Sequence, residues 1–409
     1  MKKCVFALWI CMVCAQPAIS EQLPTFTRII LSDPLLGAQP AISVEKGYGF
    51  LVTTQQSDGV RSSLHWISID FKGRQMSRGL ISEGDARFVN WADTPGIAVL
   101  DNGDWVAFWL ERNDPDAPEG YDVKLVRSTD RGRTWSQPIS PHRDGTKTQH
   151  GFVSLVPDGD DRVLIAWLDG RLATISPGTH SSHDHESAPM TLRSAVINRA
   201  NEILEEATID DRTCSCCQTD LVRLGEATLL AYRDRSIDEI RDISISRRIA
   251  GRWGRSDVVN HDGWRIEGCP VNGPALAVND KLGIVFWPTL IKDVMALRYK
   301  VIDDLSASFS QTDVHTLNLP YLPSGRVDAA PWKSGFLLTW VSRARDRPSV
   351  DLAYIDTGGK ATLAPPMAEP NLRGRATGFP RIASDGRRAL LVWPESDHGA
   401  PVIGMGLIE

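Results

Sequence analysis

The chain has 409 residues, a formal net charge of −6, and 42% hydrophobic against 23% charged residues. This mildly acidic balance excludes the basic footprint of a nucleic-acid or anionic-membrane partner. The length allows a large buried core and leaves the domain number open. Of the seven cysteines, Cys4, Cys11 and Cys14 fall near the N-terminus, which leaves Cys214, Cys216, Cys217 and Cys269.

The first 20 residues read as a secretory signal. Lys2 and Lys3 give the positive start, Val5 to Val13 the apolar stretch, and Ala18-Ile19-Ser20 a small-residue cleavage site before Glu21. Val13-Cys14-Ala15 is an earlier alternative cut. The apolar stretch is too short to span a bilayer, and nothing later approaches a spanning length. The expectation is an exported protein, periplasmic or secreted, with residues 21–409 as its mature domain. In that compartment disulfides can form.

Residues 21–409 carry an internal repeat. An apolar, β-rich run ending in an aromatic residue recurs as AFWLER at Trp109, IAWLDG at Trp167, LAYRDR at Tyr232, IVFWPT at Trp287, LLTWVS at Trp340 and LLVWPE at Trp393. FLVTTQ, with Thr53 in the aromatic place, is the first copy. A second run lies upstream of each anchor, such as QPAIS from Gln39, TPGIAV from Thr94, GPALAV from Gly273 and FPRIAS from Phe379. An alternating strand and a fourth short strand follow. Four short strands per unit, punctuated by Gly, Asp and Pro, describe a propeller blade. Seven units result, making the fold class all-β: a propeller of four-stranded blades. The last unit lacks its outer strand, and Thr25 to Leu31 has no partner in the first. Ring closure joins these two, which removes an open sheet edge.

Ser128-Thr129-Asp130-Arg131-Gly132-Arg133-Thr134-Trp135 has the form S-x-D-x-G-x-T-W. It resembles the Asp-box of the sialidase (neuraminidase) and bacterial-neuraminidase-repeat propellers. Echoes stand at Ser68-Ile69-Asp70 with Gly73, at Gly251-Arg252-Trp253, and at Asp356 to Gly359. The resemblance covers nearly all of the mature chain and implies six blades, against seven by the repeat count. It also implies an outer-edge position for the box, so the motif identifies a fold, not an activity. A sialidase site would hold a three-arginine clamp, a Tyr–Glu nucleophile and an acid Asp. Ala38 stands where the first clamp arginine belongs, and Arg28 is placed on an outer strand. The residues left for such a site are Tyr321, Arg326, Arg375 and Asp93, acting on an acidic sugar as an exo-glycoside hydrolase.

In a propeller, the lead-in to each inner strand and the loop after each second strand open on one face around the axis. Placing the repeats in register collects unusual residues there. Trp91 is an aromatic platform for a ligand, and Arg233, Asp234, Arg235, Glu239 and Arg241 form a charged set that binds an anionic ligand or makes a salt-bridged rim. Cys214, Cys216 and Cys217 lead into one blade and Cys269 into the next, so they should converge. They read as two disulfides, as a copper or zinc site completed by His150, His180, His183 or His185, or as a reactive thiol beside Arg212 and Arg233. The partners expected are therefore a metal, a small molecule or a glycan. The preferred reading is a ligand-binding propeller with a cysteine-centred axial site, with hydrolase and disulfide-tied scaffold as alternatives.

Overall fold

The computed structural model describes residues 24–116, 119–172, 190–305, 308–309, 313–344 and 347–409. The leader and His180, His183 and His185 lie outside the described residues. A short strand β1 (Phe26–Ile29) precedes blade 1, which holds β2 (Ala38–Glu45), β3 (Gly49–Ser57), β4 (Ser62–Asp70) and β5 (Gln75–Gly84). Blade 2 holds β6 (Gly96–Val99), β7 (Trp105–Arg112) and β8 (Tyr121–Ser128); blade 3 holds β9 (His150–Pro157), β10 (Val163–Asp169), β11 (Met190–Ile197) and β12 (Ile203–Thr213). In blade 4, β13 (Asp220–Leu224), β14 (Ala227–Arg233) and β15 (Ile243–Ile249) are edged by two short pieces, β16 (Arg252–Trp253) and β17 (Asp257–Val258). Blade 5 comprises β18 (Ala275–Val278), β19 (Gly283–Ile291), β20 (Val294–Ile302) and β21 (His315–Thr316). Blade 6 comprises β22 (Leu322–Trp332), β23 (Gly335–Ala344), β24 (Arg347–Ile355) and β25 (Ala361–Leu363). Blade 7 comprises β26 (Arg381–Ser384), β27 (Ala389–Asp397) and β28 (Ala400–Ile408), with β1 as its outer strand.

The seven-bladed count holds, and the six blades implied by the sialidase resemblance do not. Each inner strand touches the next around the ring, from β2 through β26 and back to β2. Closure is made by β1, which pairs antiparallel with β28 from Phe26 opposite Ile408 to Ile29 opposite Met405. The expected fourth strand of blade 2 is reduced to one bridge, Leu125 opposite Ile139, carried by two backbone hydrogen bonds of 2.8 and 2.9 Å.

The core is a set of layers between blades. Phe50 and Ile67 of blade 1 pack on Leu390 and Val392 of blade 7, and each of the other interfaces has its own apolar cluster. This explains the sequence pattern. A second strand is covered on both faces by neighbouring blades, so β10 (VLIAWLD) is buried at every position instead of alternating. The outer β5 and β12 face solvent on one side and are mostly exposed or half-buried. The anchors Trp109, Trp167, Tyr232, Trp287, Trp340 and Trp393 are all buried, each stabilising the interface by about 1.5–3 kcal/mol or more on apolar area alone.

The Asp-box forms as its composition dictates. Ser128 Oγ accepts from the Gly132 amide at 2.7 Å, and Asp130 accepts from the amide and hydroxyl of Thr134 at 2.9 and 2.7 Å. Gly132 lies at φ +78°, where a Cβ would strike Trp105 and Trp66. Asp70 and Asp356 cap their own turns in the same way in the echo positions.

Candidate functional site

The lead-ins to the inner strands are stitched together at the axial mouth. Gln39 donates to the Asn90 carbonyl, Gln218 bonds the Ala92 carbonyl at 2.8 Å and the Gly273 amide at 3.2 Å, and Asn272 accepts from the Arg326 amide at 3.0 Å. Deeper along the axis, buried carboxylates tie alternate blade pairs: Asp93 to Phe152 N (2.7 Å), Asp220 to Leu276 N (2.7 Å) and Asp328 to Ile382 N (2.9 Å). With Arg381 they line a cavity of about 260 Å³.

The four cysteines converge as expected, and none is disulfide-bonded. A turn at Ser215 and Cys216, between β12 and β13, folds Cys214 back toward Cys217, with their sulfurs 3.2 Å apart. Cys216 Sγ lies 3.8 Å from Cys214 Sγ, and the three sulfurs are all within 4.8 Å of one another. Cys269, from the lead-in to blade 5, is a near neighbour of Cys216 and Ser215. Arg241 Nη1 donates to Cys214 Sγ at 3.3 Å. Burial alone would raise the Cys214 thiol, but hydrogen bonds from Cys216 and Cys217 and the Arg241 charge outweigh it and pull it well down. Cys217 is pushed up by burial and by the neighbouring Cys214. The cluster thus concentrates negative charge on one sulfur beside a guanidinium.

The charged segment after β14 divides into two roles. Arg233 is walled in: its guanidinium donates to the carbonyls of Asn272, Arg241 and Pro288 at 2.8, 2.5 and 2.7 Å and lies 4.5 Å from the Trp264 ring. It is a structural strut, not a free ligand group, and Trp264 is buried beneath it. Asp234 accepts from the Arg235 amide and from Ser244, and burial raises its pKa to about 6. Glu239, at φ +61°, holds both Arg235 and Arg241 and so aims Arg241 at Cys214.

The residues reserved for a sialidase site do not assemble a clamp. Arg326 and Arg375 flank Trp91, with guanidinium carbons 4.9 and 5.9 Å from its ring, and Trp91 stacks on Phe379 at 6.0 Å. Arg326 is further tied to the carbonyls of Gly374 and Gly378, and burial lowers its pKa to about 10. Arg375, Trp91, Ala38 and Gln39 line a second cavity of about 440 Å³. Tyr321 sits half-buried in the bend before β22, and among the described residues no hydrogen bond joins it to Arg326 or Arg375. Arg28 pairs with Glu395 at the outer edge. Asp93 is 2% exposed and accepts from Phe152 N and from Tyr121 Oη (2.8 Å), with burial raising its pKa to about 7. It is a blade-linking carboxylate.

His150 belongs to a different cluster, which sequence reasoning missed. Its ring stacks on His142 at 3.8 Å and 4°. Its Nε2 is 3.2 Å from Asp144 and 3.8 Å from Asp169, and Nδ1 meets the Tyr121 carbonyl at 3.2 Å. Arg171 already sits between the two carboxylates, 2.8 Å from Asp169 and 3.3 Å from Asp144. Burial and the neighbouring His150 lower the His142 pKa to about 4. The signal in the sequence was the spacing His142-x-Asp144 ahead of His150, in the loop before β9.

No protein-family model matches the chain, and no curated protein matches its sequence. Solved structures do. An α-L-arabinofuranosidase from Fusarium graminearum, bound to an iminosugar inhibitor, superposes with TM-score 0.50 at 11% identity, over 92% of this chain and 98% of that one. An α-L-arabinanase from Penicillium chrysogenum gives 0.49 at 12%, over 94% and 97%, and the NanB sialidase of Streptococcus pneumoniae 0.47 at 8%, over 94% of each. At such identities the likeness is one of fold. The chain is a seven-bladed β-propeller.

Proposed function

We propose that the chain is an exported binding propeller whose axial face holds a soft metal, copper or zinc, on Cys214, Cys216 and Cys217. The observation that carries this reading is the packing of three free sulfurs within 4.8 Å of one another, two of them buried, beside an arginine on Cys214. Buried thiols make poor hydrogen-bond partners for one another, whereas thiolates are strong ligands for soft cations. Titration of the fully reduced protein with Cu(I) and with Zn(II) tests it. One equivalent should bind, and Cys214→Ser with Cys217→Ser should weaken binding by at least about 10- to 100-fold. Reduced protein that binds neither metal overturns the reading.

The second reading is a glycoside hydrolase. Propellers of this shape include the arabinofuranosidase above, and Trp91 between Arg326 and Arg375, beside a cavity of about 440 Å³, suits a sugar ring bearing an anionic group. Turnover of a fluorogenic sialoside or arabinofuranoside, abolished by Arg326→Ala, would establish it. Absence of turnover across both classes would remove it.

A further inference from the structure

The four sulfurs differ in how deeply they lie. Cys214 and Cys217 are 1% and 2% exposed, whereas Cys216 and Cys269 are half-buried. Cys269 neighbours Cys216, Cys216 Sγ is 3.8 Å from Cys214 Sγ, and Cys214 Sγ is 3.2 Å from Cys217 Sγ. The sulfurs therefore form a path from the axial mouth to the interior. Only the inner three lie mutually within 4.8 Å. A closed zinc site would want four equivalent ligands in a tetrahedron. Three clustered sulfurs with a fourth set outward suit Cu(I), which soft thiolates favour.

Resting on the metal-site reading, we propose that Cys269 is the capture ligand of this site, taking Cu(I) by ligand exchange from a Cu(I)–thiolate donor and passing it inward through Cys216. In the first step the Cys269 sulfur–copper bond forms as a donor sulfur–copper bond breaks, and the Cys269 proton leaves with the donor as a free thiol. In the second, Cys216, Cys214 and Cys217 replace Cys269 on the metal; one proton given up by the inner thiols returns to Cys269 and the remainder pass to solvent. Copper stays in the +1 state throughout, so no oxidant or reductant is required. Stepwise exchange is suited to a metal whose free ion is scarce, because copper is never released to water between donor and site. The Cys269 side is held in place by its link to Cys216 and by the neighbouring Ser215. Gln218 and Asn272 hold the two lead-ins that carry the path.

The test follows Cu(I) presented as its glutathione complex to reduced, full-length protein under anaerobic conditions, with rapid mixing for capture rate and chelator competition for affinity. Cys269→Ala should slow capture about tenfold and lower equilibrium affinity less than Cys217→Ala does. Cys217→Ala should lose affinity while keeping a near-normal initial capture phase. Wild-type capture in Cys269→Ala, or an affinity loss equal to that of Cys217→Ala, overturns the route while leaving the metal site intact. Wild-type protein that takes up no Cu(I) overturns the site itself and the route with it. Cys269→Ser, which preserves size, should behave as Cys269→Ala does; recovery of the wild-type rate in Cys269→Ser would assign the effect to packing and overturn the proposal.

Discussion

Among the described residues, two clusters of side chains of metal-ligand type lie in the lead-ins of this propeller, and they are built on opposite principles. The histidine cluster of blades 2 and 3 has two imidazoles and the carboxylates of Asp122, Asp144 and Asp169, more donor atoms than many metal sites, yet its cation is already present. Arg171 lies between Asp169 and Asp144, and His150 has Asp144 and a backbone carbonyl as partners. The cysteine cluster of blades 4 and 5 has four sulfurs that meet mainly each other, with one guanidinium donated to one of them. Donor count is therefore a poor guide. What separates a structural network from a ligand site is whether the negative charge is already balanced from within the chain.

The sharpest way to break this contrast is Arg171→Met. Removing the built-in cation leaves buried carboxylates facing each other, which should cost about 3–5 kcal/mol of stability. The vacated space is then bounded by His150, Asp144 and Asp169, so added Zn(II) should raise the melting temperature of the variant and not of the wild type. A variant that melts like the wild type, or a wild type that responds equally to Zn(II), would remove the distinction.

A smaller effect appears on the pH axis. His142 in the folded chain titrates near 4 against an ordinary 6.5. Its folded value is depressed, so its contribution is complete above about pH 6.5 and is lost as pH falls toward 4, since the unfolded chain takes up the proton first. The loss is of order 2–3 kcal/mol. Asp93 runs the other way. Its folded value of about 7 exceeds the ordinary 3.8, so its contribution is complete below pH 3.8 and is lost as pH rises to 7. Urea unfolding at stepped pH should show that His142→Gln, relative to wild type, removes stability loss on the acid side. Asp93→Asn should remove it on the rise to neutrality. Difference curves of the same sign for both variants would contradict the assignment.

Much of this architecture was legible because repetition encodes it. The aromatic anchors recur through the chain, each marks a second strand buried on both faces, and the orphan N-terminal strand had one vacancy to fill. The same register predicted that the lead-in holding Cys214 to Cys217 and the one holding Cys269, far apart in sequence, would converge. Register says where a backbone goes but not which side chain satisfies which. Arg233 and Arg241 lie in one charged run, yet one bonds three carbonyls and the other a sulfur. The stack of His142 on His150 depends on a loop conformation outside the repeat, and the burial of Trp264 depends on the strut it supports. Those are long-range packing outcomes that a local pattern does not carry.

Arg241→Met gives the smallest and most diagnostic effect. Glu239 keeps its ion pair with Arg235 when Arg241 is removed, so no carboxylate is stranded, and the melting temperature should fall less than in Arg171→Met. The Cys214 sulfur loses its only guanidinium donor among the described residues, and Cu(I) affinity should drop about tenfold. Arg241→Lys, which keeps the charge without the fork that engages Glu239 and Cys214 together, should fall between the two. A fall in stability as large as that of Arg171→Met, with unchanged Cu(I) affinity, would mean that Arg241 is a strut like Arg233. The two clusters would then differ in their ligand atoms alone and not in how their charge is balanced.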